Sequence, residues 1–283
     1  MYTMRPSEFT YHRPGSLDEA VALLDGEARP LAGGHSLLPA MKLRLATPPS
    51  LVDLSGLTGL DGITLDGDTL RIGAMATHAD VASSDTVSKA MPVLAETAGL
   101  IGDRQVRRRG TIGGSCAHAD PAADYPTVLV ALGASIAAMG RGGAREIPAR
   151  EFFTGLFSTA LAPDELITAV HVPIRQGSGA AYEKHKSPRS GYAVVGVAAT
   201  FGGGVDPEIV VGGVTGSPLR ATDAAAKATG GDADSIAQAA EAVAGAIGDA
   251  AIGDTYASGE YRAHLATVLA RRAMTRAVER AAG

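Results

Sequence analysis

The 283-residue sequence predicts an α+β protein built from three consecutive parts. Residues 29–54 alternate between strand, helix and strand, the pattern of a small parallel βαβ unit. The central part mixes hairpin strands with helices, as expected for a larger α/β subdomain. After residue 175, three strand-like runs precede alanine-rich helices, which predicts a three-stranded antiparallel sheet with a helical bundle. We therefore expect domains at residues 1–55, 56–175 and 176–283.

The first part contains two helix signals, each close to an apolar run. Ser16 precedes the first helix, and Ser36 is placed to cap a second helix that begins at Leu37. The apolar runs Arg29–Ala32 and Leu51–Leu54 flank the second helix and are predicted to be strands.

Patterns in the rest of the chain predict further elements. In the central part these are a hairpin over 63–73, a short helix capped by Thr77, one helix over 87–100, a helix over 125–132, paired strands over 134–139 and 145–148, and a strand over 165–172. In the last part they are strands over 180–184, 192–201 and 208–214, and helices over 220–228, 234–247 and 260–280.

Composition excludes several classes of protein. Hydrophobic residues make up 46% of the chain and aromatic residues only 4%, so the core should be aliphatic. A net charge of −5 argues against nucleic-acid binding. No apolar run has the ~20 residues of a membrane helix, and no signal peptide is expected. The single cysteine, Cys116, excludes a disulfide, a cysteine zinc site or an iron–sulfur cluster within this chain, and no metal site is predicted.

The glycine-rich stretch Thr111–Ser115 carries the strongest chemical signal. Its glycines predict a turn rather than a helix, and glycine allows close approach of another group. Bare backbone amides beside the hydroxyls of Thr111 and Ser115 suit a phosphate oxygen. Asp120 and Asp124 follow and can accept hydrogen bonds from sugar hydroxyls. Such a turn on its own is more often only a turn.

A second glycine loop, Ala32–Ser36, lies between a predicted strand and a predicted helix. Amides at the start of a helix favour phosphate. The loop matches neither the Rossmann G-x-G-x-x-G nor the P-loop pattern. Two separate loops with hydroxyl residues would suit the two phosphates of a pyrophosphate.

These motifs resemble those of a known family. The runs Ala32–Pro39, Thr111–Ser115 and Ala117–Asp124 are similar to the two flavin pyrophosphate motifs in the FAD-binding medium subunits of the molybdenum hydroxylases, of the carbon monoxide dehydrogenase and xanthine dehydrogenase type. The resemblance covers essentially the whole chain. It implies the PCMH-type FAD-binding fold for the first two parts.

The resemblance also implies a set of FAD-binding residues. Both glycine loops would hold the pyrophosphate, Asp124 would bind cofactor hydroxyls, and other residues would line the site. The full predicted set is Ala32, Gly33, Gly34, His35, Ser36, Ile101, Gly102, Thr111, Gly113, Gly114, Ser115, His118, Asp120, Asp124, Leu166, Lys184 and Tyr192.

Two residues of this set and one charge run outside it have a second interpretation. Lys184 would stabilise the electron-rich reduced flavin, or it is an exposed strand lysine. Tyr192 would place its ring against the flavin, or it is a packing residue. The charge run Arg107–Arg109 is typical of a solvated face, or contacts a partner subunit or the cofactor phosphates. The segment from Lys184 to Gly191 departs from the usual family pattern.

The resemblance further implies a function in electron transfer. Electrons would come from a 2Fe-2S small subunit and pass from FAD to an external acceptor. The three chains, including a molybdenum-cofactor large subunit, would form a heterotrimer, and two heterotrimers would form a dimer. No catalytic acid–base residue is expected on this chain. A cytoplasmic location follows, with association to the inner face of the membrane through the complex.

Two other functions stay open at this point. One is a self-sufficient FAD-dependent reductase or oxidase of the same fold. The other is an assembly protein without flavin. The substrate of the molybdenum subunit and the terminal acceptor are not encoded in these motifs.

Overall fold

The structure, a computed structural model, describes residues 4–283, and its first sheet has three strands. The elements of this part are β1 (Thr10–His12), α1 (Leu17–Ala22), β2 (Arg29–Leu31), α2 (Leu37–Lys42) and β3 (Ser50–Asp53). Strand β3 lies between β1 and β2 and runs parallel to both. The predicted βαβ unit is confirmed, and β1 is an additional strand.

Helix α2 begins without the predicted cap. Ser36 has helical dihedral angles and its side chain accepts no capping hydrogen bond. A capping side chain accepts from the amide two or three residues further on. The third residue after Ser36 is Pro39, which has no N–H to donate.

The second sheet has the strand order β4-β5-β10-β6-β7 and is antiparallel throughout. Its part of the chain contains β4 (Ile63–Asp66), β5 (Thr69–Gly73), α3 (His78–Ser83), α4 (Asp85–Ala90), α5 (Pro92–Leu100), α6 (Arg104–Arg107), α7 (Ile112–His118), α8 (Asp124–Ala131), β6 (Ser135–Gly140), β7 (Gly143–Pro148), α9 (Ala149–Phe152), β8 (Phe153–Gly155), β9 (Ser158–Thr159) and β10 (Leu166–Pro173). Thr77 caps α3 as predicted, in a reciprocal capping box with Asp80.

The single helix predicted over 87–100 is wrong, because α4 and α5 are separate helices. Pro92 starts α5, and the preceding Met91 has φ −150° and ψ 74°, outside the helical region. Proline lacks an N–H and disfavours helical geometry in the residue before it, so the break lies where the sequence has proline.

The expectation of a turn over Thr111–Ser115 is also wrong, because α7 begins at Ile112. Helix α7 packs against the end of β5. A Cβ added to Gly113 would lie 2.6 Å from the Cβ of Ala74, so only glycine allows the helix to approach this closely. Tertiary contact here overrides the low helix propensity of Gly113 and Gly114.

The last part contains β11 (Ser178–Lys186), β12 (Ala193–Gly202), β13 (Glu208–Gly212), β14 (Leu219–Arg220), α10 (Thr222–Ala225), α11 (Ala233–Ile247) and α12 (Gly259–Ala282). These strands form an antiparallel sheet in the order β11-β12-β13-β14. The sheet therefore has four strands rather than the predicted three. The extra strand occupies the start of the helix predicted at Arg220, and α10 begins two residues later.

Both faces of this third sheet are buried. One face, which includes Val197 and Val211, packs on the helices α11 and α12. The other face, which includes Tyr182, Ala198 and Val210, joins the core around α8 of the central part. Burial on two faces explains why β12 is an almost continuous apolar run. It also brings side chains of β11 beside the central part.

Candidate FAD-binding site

A cleft of about 810 Å³ runs between the loops of the first and second parts. Every predicted cofactor-binding residue except Lys184 lies along it. These are Ala32, Gly33, Gly34, His35, Ser36, Ile101, Gly102, Thr111, Gly113, Gly114, Ser115, His118, Asp120, Asp124, Leu166 and Tyr192. The cleft lies within the size range of small-molecule and cofactor sites.

Gly33 of the first glycine loop lies against Arg109 and Gly110, the two residues that lead into the second loop. A Cβ added to Gly33 would lie 2.0 Å from the carbonyl oxygen of Arg109 and 2.9 Å from the Cα of Gly110. Only the hydrogen of glycine fits between the two backbones. Contact between the loops therefore fixes their spacing.

The loop Ala32–Ser36 leaves its backbone donors available. Among residues 4–283, the amides of Gly33, Gly34, His35 and Ser36 find no hydrogen-bond acceptor. Gly34 has φ +73°, a left-handed conformation that favours glycine and turns the chain into α2. Unpaired amides close together favour an anion.

The loop Thr111–Ser115 has its donors occupied within the fold. The amide of Gly113 donates to the carbonyl oxygen of Ala74 at 2.9 Å, and that of Ser115 to the carbonyl of Thr111 at 3.0 Å. The Gly114 amide donates to Oγ1 of Thr111, which caps α7. The expectation that the Gly113 and Gly114 amides are bare is therefore wrong. Thr111 and Ser115, whose side chains carry hydroxyl groups, both line the cleft.

Asp124 lies in the wall of the cleft, in the first turn of α8. Its Oδ1 accepts a hydrogen bond of 2.7 Å from the Tyr182 hydroxyl, and its Oδ2 accepts one of 2.9 Å from Nζ of Lys184. Burial raises the pKa of Asp124, and the Lys184 charge and both hydrogen bonds oppose that rise.

Family models match almost the whole chain. Residues 7–175 match the family described as "FAD binding domain in molybdopterin dehydrogenase". Residues 180–277 match "CO dehydrogenase flavoprotein C-terminal domain".

Individual relatives agree with this match. The chain is 44% identical to the carbon monoxide dehydrogenase medium chain of Afipia carboxidovorans, over 98% of this chain and 99% of that one. It is 36% identical to the 6-hydroxypseudooxynicotine dehydrogenase complex subunit alpha of Paenarthrobacter nicotinovorans, over 98% and 97% of the two chains. A solved structure of carbon monoxide dehydrogenase from Hydrogenophaga pseudoflava matches with a TM-score of 0.92 and 39% identity, covering 98% of this chain and 99% of that one.

The chain belongs to the family of the FAD-binding molybdopterin dehydrogenase chains. It is an FAD-binding subunit of the molybdenum hydroxylases, which are oxidoreductases, and its cofactor is FAD.

The described residues fit an FAD pyrophosphate at one end of the cleft. The loop Ala32–Ser36 supplies four unpaired amides, and Thr111 and Ser115 on the facing loop supply hydroxyl groups. Negatively charged phosphate oxygens accept hydrogen bonds from donors of both kinds. The cleft therefore offers a phosphate group backbone amides from one loop and hydroxyl groups from the other.

Lys184 does not line the cleft, because it is held behind the cleft wall. Its ammonium group is almost fully buried and donates to Asp124, with a longer contact of 3.4 Å to the carbonyl oxygen of Leu100. Lys184 is therefore neither an exposed strand lysine nor a residue of the cleft surface. Direct contact between Lys184 and the flavin ring stays a prediction.

Aromatic side chains also line the cleft. Tyr192 is 44% exposed and lines the cleft; burial and the charges of Asp120 and Asp124 raise the pKa of its hydroxyl, and a hydrogen bond with Ser36 of the first loop opposes that rise. The rings of His118 and Phe157 meet at a centroid distance of 5.1 Å. Phe157 was not predicted; its φ of +51° places it at the tip of the hairpin between β8 and β9. The stacking of Tyr192 on the flavin stays a prediction.

Two residues outside the predicted binding set shape the cleft. His78 lies in the wall beneath Gly110; burial is the main cause that lowers its pKa to about 4, helped by the His35 and Arg107 charges. Arg107 donates to the carbonyl oxygens of Ile101 and Gly102 at 2.9 Å and 3.1 Å. It therefore holds a loop of the cleft and is not part of a solvated face. His78 belongs to no motif, whereas Arg107 belongs to the charge run Arg107–Arg109, which the sequence leaves open as a solvated face or as a contact with a partner or the phosphates.

Cys116 is a packing residue of the core. It is fully buried in α7, and burial raises the pKa of its thiol to about 12. Within the described part of the chain, no cluster of three or more potential metal ligands occurs. Across residues 4–283, no helix combines the length and apolarity needed to span a bilayer.

Proposed function

We propose that this chain takes electrons from a 2Fe-2S small subunit and passes them from its FAD to an external acceptor. The end-to-end match with a carbon monoxide dehydrogenase medium chain carries this proposal. The name of that relative denotes one chain of a larger enzyme. Support also comes from the single buried cysteine, because iron–sulfur clusters need several thiolate ligands and must then lie on a partner.

The redox chemistry is supplied by FAD, and this chain binds and orients it. The amides of Gly33 to Ser36 and the hydroxyls of Thr111 and Ser115 would hold its phosphates. Asp124 would accept a hydrogen bond from a cofactor hydroxyl, since a carboxylate has about four acceptor sites and the described residues fill only two. Tyr192, which lines the cleft, would lie against the flavin ring. No acid–base residue is assigned.

The complete enzyme in this proposal is a dimer of heterotrimers that also contains a molybdenum-cofactor large subunit. We propose a carbon monoxide dehydrogenase-like enzyme on the basis of the 44% identity. A relative named for 6-hydroxypseudooxynicotine is 36% identical, so the substrate is selected on the large subunit and not by this chain. The complex would lie in the cytoplasm and associate with the inner face of the membrane through its partner chains.

Absorption spectra test this proposal. The chain is purified alone and with its copurifying partners, and spectra are recorded before and after denaturation. We expect a flavin spectrum, FAD released on denaturation, and additional iron–sulfur absorbance in the copurified sample that bleaches when substrate is added anaerobically.

Two results would point to other functions. Turnover of the isolated chain with NAD(P)H or a small alcohol would support a self-sufficient flavoenzyme. A colourless chain that takes up no FAD, alone or with partners, would contradict the proposal and favour an assembly protein.

A further inference from the structure

Strand β11 of the C-terminal part reaches the wall of the FAD cleft. Tyr182 and Lys184 are two residues apart, so both side chains project from the same face of the strand. Both donate hydrogen bonds to Asp124 of α8. Glu183, between them, lies on the opposite face and accepts from Arg276 of α12 at 2.5 Å. The strand therefore connects the cleft wall to the last helix.

The third sheet leaves space for the Tyr182 hydroxyl beside Gly196. Tyr182 is only 3% exposed, and its Oη lies beside Gly196 of the neighbouring strand β12. A Cβ added to Gly196 would lie 2.2 Å from that oxygen. Glycine at this position leaves the space that the phenol needs to reach Asp124.

We propose that Tyr182 is a positioning residue for FAD: its hydroxyl holds the Asp124 carboxylate in orientation to accept a hydrogen bond from a cofactor hydroxyl. This inference rests on the proposed function. It makes tight FAD binding depend on a side chain that lies outside the cleft and belongs to the C-terminal part. Lys184 fixes the second carboxylate oxygen, so the two donors together set the plane of the carboxyl group.

The charged form of Asp124 depends on the same contacts. The titratable groups that face it are Tyr182 and Lys184 on β11, Tyr192 before β12, and Tyr125 on its own helix. Burial raises the pKa of Asp124, while the Tyr182 hydrogen bond lowers it. Loss of the Tyr182 hydroxyl therefore raises the pKa of Asp124 further, so protonation begins at a higher pH.

The chain offers a matched control. Tyr125 is also fully buried, directly follows Asp124, and its hydroxyl has no hydrogen-bond partner within residues 4–283. Tyr125→Phe and Tyr182→Phe each remove one buried phenolic oxygen close to Asp124. Only Tyr182→Phe removes a hydrogen bond to its carboxylate.

The experiment titrates flavin-free chain with FAD at several pH values. The variants are Tyr182→Phe, Tyr125→Phe, Asp124→Asn and the Tyr182→Phe/Asp124→Asn double variant, and the unfolding temperature of each is recorded. We expect about tenfold weaker FAD binding for Tyr182→Phe and for Asp124→Asn, and less than twofold change for Tyr125→Phe. The double variant should bind no more weakly than Asp124→Asn. The acid limb of binding should move to higher pH in Tyr182→Phe.

Several results would overturn the inference: wild-type affinity in Tyr182→Phe or in Asp124→Asn, an additive double variant, or an unshifted acid limb. A wild-type chain that takes up no FAD would instead contradict the proposed function. The two failures are therefore distinguishable.

Discussion

In the loop Ala32–Ser36 four consecutive backbone amides lack a hydrogen-bond acceptor within the described residues, whereas in Thr111–Ser115 the amides of Gly113, Gly114 and Ser115 all donate within the fold. Both loops contain a Gly-Gly pair followed by a hydroxyl residue within two positions. The difference shows that the same residue types serve two purposes. In the first loop glycine exposes donors, and in the second it lets a helix pack closely.

The largest expected effect is at the contact between the loops. Gly33→Ala places a Cβ 2.0 Å from the Arg109 carbonyl oxygen, and a backbone obstacle cannot rotate away. Overpacking typically costs about 1–3 kcal/mol, and this position should lie at or above the upper limit. We expect FAD binding to weaken by more than about 100-fold, measured by fluorescence titration.

Gly62→Ala is the control for this variant, because a Cβ there has no heavy atom within 4 Å. It should bind FAD like the wild type. Wild-type binding by Gly33→Ala would show that the loops do not need their close contact.

His78, which lies beneath Gly110, sharpens the comparison through pH. Its pKa is lowered from 6.5 to about 4 in the folded protein, so the unfolded chain binds the proton first as pH falls. The contribution of His78 to the free energy of unfolding is therefore fully present above about pH 6.5 and is lost progressively towards about pH 4. The loss between about pH 7 and about pH 5 is about 2 kcal/mol. Urea unfolding at several pH values measures this loss in the wild type and in His78→Gln. The free energy of unfolding should fall less steeply with decreasing pH in the variant, because the variant lacks the imidazole. Equal pH slopes would contradict a buried neutral His78.

A smaller effect is expected where the second loop is capped. Thr111→Val removes the oxygen that accepts from the Gly114 amide, and loss of such a cap costs about 1 kcal/mol. Thr111→Ser keeps the oxygen and should retain most of the stability. Thermal unfolding of the flavin-free chain measures both, and equal destabilisation by the two substitutions would mean that the methyl group matters more than the cap.

The smallest effects compare the hydroxyls of the two loops. Ser115→Ala should weaken FAD binding about threefold to tenfold, because this loop binds through hydroxyl groups. Ser36→Ala should change it less than twofold, since the first loop binds through its amides. The same titration measures both variants. A larger loss in Ser36→Ala than in Ser115→Ala would reverse the assigned roles.

The sequence predicts well which residues line the cleft, because the motif residues are distant in the chain but come together in the loops around it. All predicted residues except Lys184 line the cleft. Two errors, at Ser36 and at Val87–Leu100, come from local rules about Pro39 and Pro92 that the sequence does contain.

Other differences depend on packing between distant segments, which local patterns do not encode. Helix α7 forms through contact of Gly113 with Ala74. Lys184 is drawn behind the cleft wall because Asp124 lies across from β11. Tyr182 looks like any strand residue until the third sheet docks on α8.

Amide hydrogen exchange, followed by NMR on the flavin-free and FAD-loaded chain, tests most directly whether the two loops bind FAD by different means. We predict that FAD slows exchange at Gly33, Gly34, His35 and Ser36 by more than about tenfold, because unpaired amides gain acceptors. The amides of Gly113 and Gly114 should exchange slowly in both samples, with little change. Fast exchange at Gly33–Ser36 that FAD leaves unaltered, or protection gained mainly at Gly113 and Gly114, would contradict this account of the site.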